Sequence, residues 1–163
     1  MRCVNLKVSC NIKMKLHETK FNEIKKLLKD KLGEEVIAYE EHGTQFIEIK
    51  NTKFWLTIDE NEFTVGYGLN HTHFSEEYDN LFEGIIQAFD LLTNKVKTTN
   101  FIKGNTIFKT IIEIEYPNLQ FVTIGEIGII FFPYWKKTKI VNSISNPVID
   151  KKEIENEVNK IIN

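Results

Sequence analysis

The chain has 163 residues, 42% of them hydrophobic and 27% charged, which suits one soluble globular domain, 1–163, with enough core to fold without cross-links. Its 21 basic and 23 acidic residues leave a net charge of −2, so the strong positive footprint of a nucleic-acid binder is excluded. Cys3 and Cys10 are the only cysteines, too few for a disulfide framework and consistent with a reducing compartment.

Residues 4–16 alternate strictly. Val4, Leu6, Val8, Cys10, Ile12, Met14 and Leu16 take one side, and polar residues take the other. Period two over this length predicts a strand with one dry face. Met14 is an alternative start, which makes residues 1–13 a candidate N-terminal extension. The alternation lacks the unbroken apolar core of a signal peptide. The longest apolar stretch, Ile127 to Trp135, falls short of the roughly 20 residues that span a bilayer, and a cytoplasmic location is expected.

Spacing then changes to helical over residues 19–32, where Phe21, Ile24, Leu27, Leu28 and Leu32 form a stripe, with Thr19 as the expected cap and Gly33 as the stop. Four short strands are expected at 35–40, 44–50, 53–59 and 62–67, joined by links that permit only antiparallel hairpins. A second helix is expected from about Glu76 to Asn94, capped by Ser75, with Glu76 and Glu77 in its positive first turn. A second β region follows at 96–102, 106–116, 119–124 and 128–132, with a weaker strand at 138–141. The unalternating run Ile127–Trp135 reads as a strand buried on both sides. Asp150 and Glu153, at capping-box spacing, open a last helix over 151–162. The expected order is β-α-ββββ-α-ββββ-α. This is an α+β fold of antiparallel meander sheets, with about three helices packed on one side.

Chemistry concentrates in the stretch GYGLNHTHFSEEY, residues 66–78. On a strand, His71 and His73 would point the same way and could share a metal ion, with Glu77 as a third ligand. The stretch partly resembles the first metal-binding motif of the cupins, with His71, His73, Glu77 and Gly84 in place. It departs from that motif at Gly66, one residue too close, and no histidine follows His73 to complete a second motif. The favoured reading therefore puts the two histidines in the turn before a helix, with no metal and no cofactor. There they form a polar contact patch with Glu76, Glu77 and Asp79. A second candidate contact is Tyr134 and Trp135, followed by Lys136, Lys137 and Lys139.

In size, in its meander layout and in the segment over residues 63–83, the chain is similar to the small cytoplasmic immunity proteins of bacterial polymorphic toxin systems. That resemblance implies a non-enzymatic protein-binding module that blocks a cognate toxin domain, with acidic clusters at 34–41, 59–62 and 76–83 suited to a basic partner. No nucleic-acid or membrane partner is expected. A homo-oligomer sealed through Ile127–Trp135 is compatible with the pattern. The alternative is a metal-dependent enzyme or small-ligand binder centred on His71, His73 and Glu77.

Overall fold

The computed structural model describes residues 15–118 and 120–163. The strand expected over residues 4–16 lies outside these except at its end, where Leu16 is helical, and both cysteines lie outside them too.

Helix α1, Leu16–Leu32, buries Phe21, Ile24, Leu27 and Leu28 along one stripe. It starts three residues before the expected cap because Glu18 reaches back to accept the Lys15 N–H at 3.2 Å. Thr19 instead donates its hydroxyl to the Lys15 carbonyl. Gly33 ends the helix at φ 54°, a conformation that favours glycine, and begins a single 3-10 turn, Gly33–Glu35.

Five strands follow: β1 Val36–Glu41, β2 Thr44–Ile49, β3 Phe54–Ile58, β4 Phe63–Tyr67 and β5 Asn70–Phe74. They pair antiparallel in chain order to make one meander sheet. His42 and Gly43, both at positive φ, make the two-residue β1–β2 turn, whose twist matches that of the strands. The Asp59 carboxylate accepts the N–H groups of Asn61 and Glu62 at 2.8 and 2.9 Å and so shapes the β3–β4 turn. Alternation divides the sheet. Ile47, Leu56, Phe63, Val65 and Phe74 point into the core, while Tyr39, Phe46, Trp55, His71 and His73 belong to the opposite parity.

Helix α2, Leu81–Thr93, packs on β3, β4 and β5. It begins five residues later than the sequence suggests. Asp79 sits at φ 52°, outside the helical region, and Ser75 folds the chain into a turn instead of capping a helix. The Ser75 N–H donates to Asn80 Oδ1 at 2.9 Å, and its hydroxyl accepts the Tyr78 N–H at 3.3 Å. Gly84 lets α2 lie directly on β5, for a Cβ there would stand 2.5 Å from the Phe74 ring.

The second sheet comprises β6 Lys95–Lys103, β7 Thr106–Glu115, β8 Phe121–Gly128 and β9 Thr138–Ser145. Its spatial order is β8-β7-β6-β9, antiparallel throughout. Its near end joins the core through Val96, Ile112 and Ile114. Tyr67 donates to Ser145 at 2.8 Å, and Tyr116 donates to Asp90 at 2.7 Å, tying the sheet to β4 and to α2. Burial, reinforced by that bond to the Asp90 carboxylate, pushes the Tyr116 hydroxyl up to about 12. Helix α3, Lys151–Ile162, starts where the capping pattern places it, with Asp150 accepting the Lys152 N–H at 2.9 Å, and packs against α1 and α2.

The α+β fold with antiparallel sheets and three helices is therefore the one the pattern foretold, with a fifth strand in the first meander. The buried strand expected at Gly128–Phe132 is corrected. β8 ends at Gly128, and residues 129–137 form an irregular, largely exposed connection to β9. Among the described residues no helix is long and apolar enough to cross a membrane.

Replacing Gly84 by Ala should favour α2 intrinsically by up to ~1 kcal/mol. The Cβ must also displace the base of the Phe74 ring, a cost of about 1–3 kcal/mol that outweighs the gain. Chemical denaturation should show a net loss of stability; a more stable Gly84→Ala protein would refute this account of the α2–β5 contact.

Candidate functional site

The outward face of the first sheet follows from strand register. β3, β4 and β5 align Trp55, Gly66 and His71 in one row and Thr57, Thr64 and His73 in the next. Gly66 carries no side chain, and the Trp55 ring fills the space above it, where a Cβ would stand only 2.0 Å from the indole. The indole N–H donates to the Gly68 carbonyl at 2.9 Å, which fixes the ring across β4. His71 lies next to it, with ring centroids 5.8 Å apart, and His73 meets His71 edge-on at 5.0 Å. His73 Nδ1 contacts Glu62 Oε2 at 2.7 Å and the Thr64 hydroxyl at 3.1 Å. On the far strands Tyr39 stacks flat on Phe46 at 4.8 Å. The Tyr39 hydroxyl donates to Glu48 at 2.9 Å, and that bond to a carboxylate raises its pKa above the ordinary value.

The histidines are thus on strand β5, not in a turn, because the Gly68 turn folds residues 70–74 back onto β4. They do share a face, as period two requires. The acidic residues expected beside them go elsewhere. Glu76 lies against His17 from the start of α1: its Oε1 stands 3.0 Å from the His17 backbone N–H, which donates to it, and 2.9 Å from His17 Nδ1. His17 is only 2% exposed, and its Nε2 faces the Asp59 carbonyl at 3.2 Å. Both ring nitrogens therefore face oxygens. Glu77 lines the same small cleft with Lys15, Glu60 and Asn61. Asp79 occupies the left-handed turn position before α2. Tyr134 and Trp135 stand at the far end of the second sheet, edge to face at 5.1 Å.

The expected patch is therefore split among three places: His71 and His73 stay together on β5, Glu76 and Glu77 share the cleft beside His17, and Asp79 stands in the turn before α2. Among the described residues no three His, Cys, Asp or Glu side chains are grouped to hold a cation. Sequence reasoning missed His17 as the partner of Glu76, since 59 residues separate them. It also missed Trp55, Tyr39 and Phe46 as a surface, although placing Phe54, Leu56 and Ile58 inward already turns Trp55 outward. Compared with known proteins, no family model matches this chain, and no curated protein or solved structure matches it significantly.

The backbone N–H of His17 is the main cause holding the Glu76 carboxyl below its ordinary value of 4.5, helped by the imidazole and opposed by partial burial. A lowered carboxylate contributes stability that is complete above the ordinary value and is lost as pH falls through the folded value. Glu76→Gln should therefore flatten the acid limb of a plot of denaturation midpoint against pH. Since Glu76 is half-exposed, the effect is damped by solvent. His17→Ala should cost about 1–3 kcal/mol at neutral pH, because it removes both contacts of a buried ring. An unchanged acid limb in Glu76→Gln would show that other carboxylates govern acid unfolding.

Proposed function

We propose that this protein is a non-enzymatic, cytoplasmic protein-binding module, and that the outward face of β1–β5 receives a basic segment of its partner. The observation that carries the reading is compositional and spatial at once: none of the five strands contains a lysine or arginine. Tyr39, Phe46, Trp55 and His71 present ring surface there, with carboxylates at Glu41, Glu48 and Glu62 around it. Lysines resume only at Lys50 and Lys53, in the connection between β2 and β3.

Aromatic faces attract Lys and Arg side chains through the ring quadrupole, and nearby carboxylates steer and pair them. Trp and Tyr already held by hydrogen bonds, as Trp55 and Tyr39 are, lose little freedom on binding, which is what makes such residues interface anchors. An immunity-type role, in which this face covers a basic toxin domain such as a nuclease, follows from the resemblance in size and layout and agrees with the sign of this surface.

The test is calorimetric titration against the protein encoded beside this gene, with inhibition of that protein's activity as a second readout. Trp55→Ala and Tyr39→Ala should each weaken binding by about 2 kcal/mol, roughly thirtyfold. Glu48→Gln should mainly slow association and reduce its salt dependence. Undiminished binding by the double variant would remove the face from the interface. Stoichiometric metal lost on His71→Ala would favour the metal-dependent alternative instead.

A further inference from the structure

The connection between β8 and β9 is exposed but not loose. The Ile129 N–H donates to the Phe108 carbonyl at 2.9 Å, extending the ladder one step past β8. The Phe132 ring then turns inward and stacks on Phe108 at 4.5 Å. Lys103 lies over both rings, 5.5 and 5.2 Å from their centroids, and donates to the Tyr134 carbonyl at 2.9 Å. Pro133 rests near Gly104, and its carbonyl accepts the Lys136 N–H at 3.0 Å. These contacts hold the connection against the β6–β7 hairpin and leave four large side chains outside. Ile130 is 88% exposed, Phe131 91%, Tyr134 75% and Trp135 70%.

Fully exposed Ile and Phe side by side on an ordered connection are unfavourable in water unless something covers them. The charge around them is of one sign. Residues 127–149 contain no Asp or Glu, while Lys136, Lys137 and Lys139 follow the aromatic pair directly. We propose that this tip is a membrane-docking element for an anionic lipid surface. Ile130 and Phe131 enter the acyl boundary, Tyr134 and Trp135 sit at headgroup depth, and the lysines meet lipid phosphates and carboxylates. Amphipathic aromatic rings favour that depth, and each lysine near an anionic leaflet adds attraction. The sequence argues against a membrane partner because this run is too short to span a bilayer, and it separately reads the run as a buried strand; the structure puts the run outside the sheet, where surface docking needs no span. A second copy is the weaker occupant, since two such tips would bring six lysines together with no carboxylate from either segment.

The experiment is co-sedimentation of the full chain with vesicles of one part phosphatidylserine to about three parts phosphatidylcholine, and with phosphatidylcholine alone. Trp135 fluorescence is read in a Trp55→Phe background, since the chain has two tryptophans. The expected result is binding to the anionic vesicles with a blue shift of Trp135, weakened at least tenfold by Phe131→Ser. Reversing Lys136 and Lys137 to Glu should weaken it at least tenfold as well, and so should high salt. Circular dichroism and unfolding should be unchanged in Phe131→Ser, because that side chain makes almost no buried contact. Failure to bind anionic vesicles, or equal binding to neutral ones, overturns the proposal. So does a concentration-dependent dimer in sedimentation velocity that Phe131→Ser abolishes, which would assign the tip to a second copy. The co-sedimentation and sedimentation-velocity outcomes are read in the chain that keeps Trp55, so they do not depend on the aromatic face of the first sheet.

Discussion

The covering of one side of the β1–β5 meander by α1 and α2, with α3 packed on both helices, is the constraint on which most other features depend. A sheet whose side chains alternate cannot bury one parity without presenting the other. Once Phe63, Val65, Leu56 and Phe74 are committed to the helices, Trp55, His71 and His73 have only the outside available. Two glycines let that commitment be tight. Gly84 brings α2 down onto Phe74, and Gly66 lets the indole lie flat on the opposite surface. The outward aromatic surface is therefore the complement of the core rather than an independent addition.

The same constraint explains why the charged residues of the opening stretch disperse. Phe74 must face inward to pack beneath α2, so the chain leaves the sheet just after it and turns through Ser75–Asn80. Glu76 then points back toward the start of α1, where His17 fills the space between it and the β3–β4 turn. A carboxylate placed by sequence beside His73 is thereby given to a histidine from the other side of the core. His73 in turn finds its carboxylate in Glu62, across the neighbouring strand.

What was legible from the amino-acid order, and what was not, follows from how local each determinant is. Helix α3 could be placed to the residue because Asp150 and its stripe are encoded within twelve positions. β1 to β4 were legible because alternation and short turns are local as well. β5 was missed because Asn70–Phe74 offers a single inward apolar residue, Phe74, and its pairing depends on Gly68 taking a positive φ. The run at 127–135 misled for a different reason. Continuous apolarity signals burial only if another layer exists to do the burying, and the helices stop short of that end. The contact surface was half legible: the histidines stood out by type, whereas Trp55 and Tyr39 were read only as members of strands.

β6 and β7 are nearly twice as long as the strands of the first sheet, and they outrun the core they start from. Their near halves contribute Val96, Ile112 and Ile114 to the interior, while their far halves rest on the ladder, on the Phe101, Phe108 and Phe132 rings and on Lys103. One sheet thus has two tiers of cooperativity. Its root shares the buried residues of the domain, while its outer arm is held by strand pairing and surface contacts alone, so opening the arm costs less than opening the root. A load applied at the tip therefore meets the ladder and ring contacts of the arm before it reaches the helices.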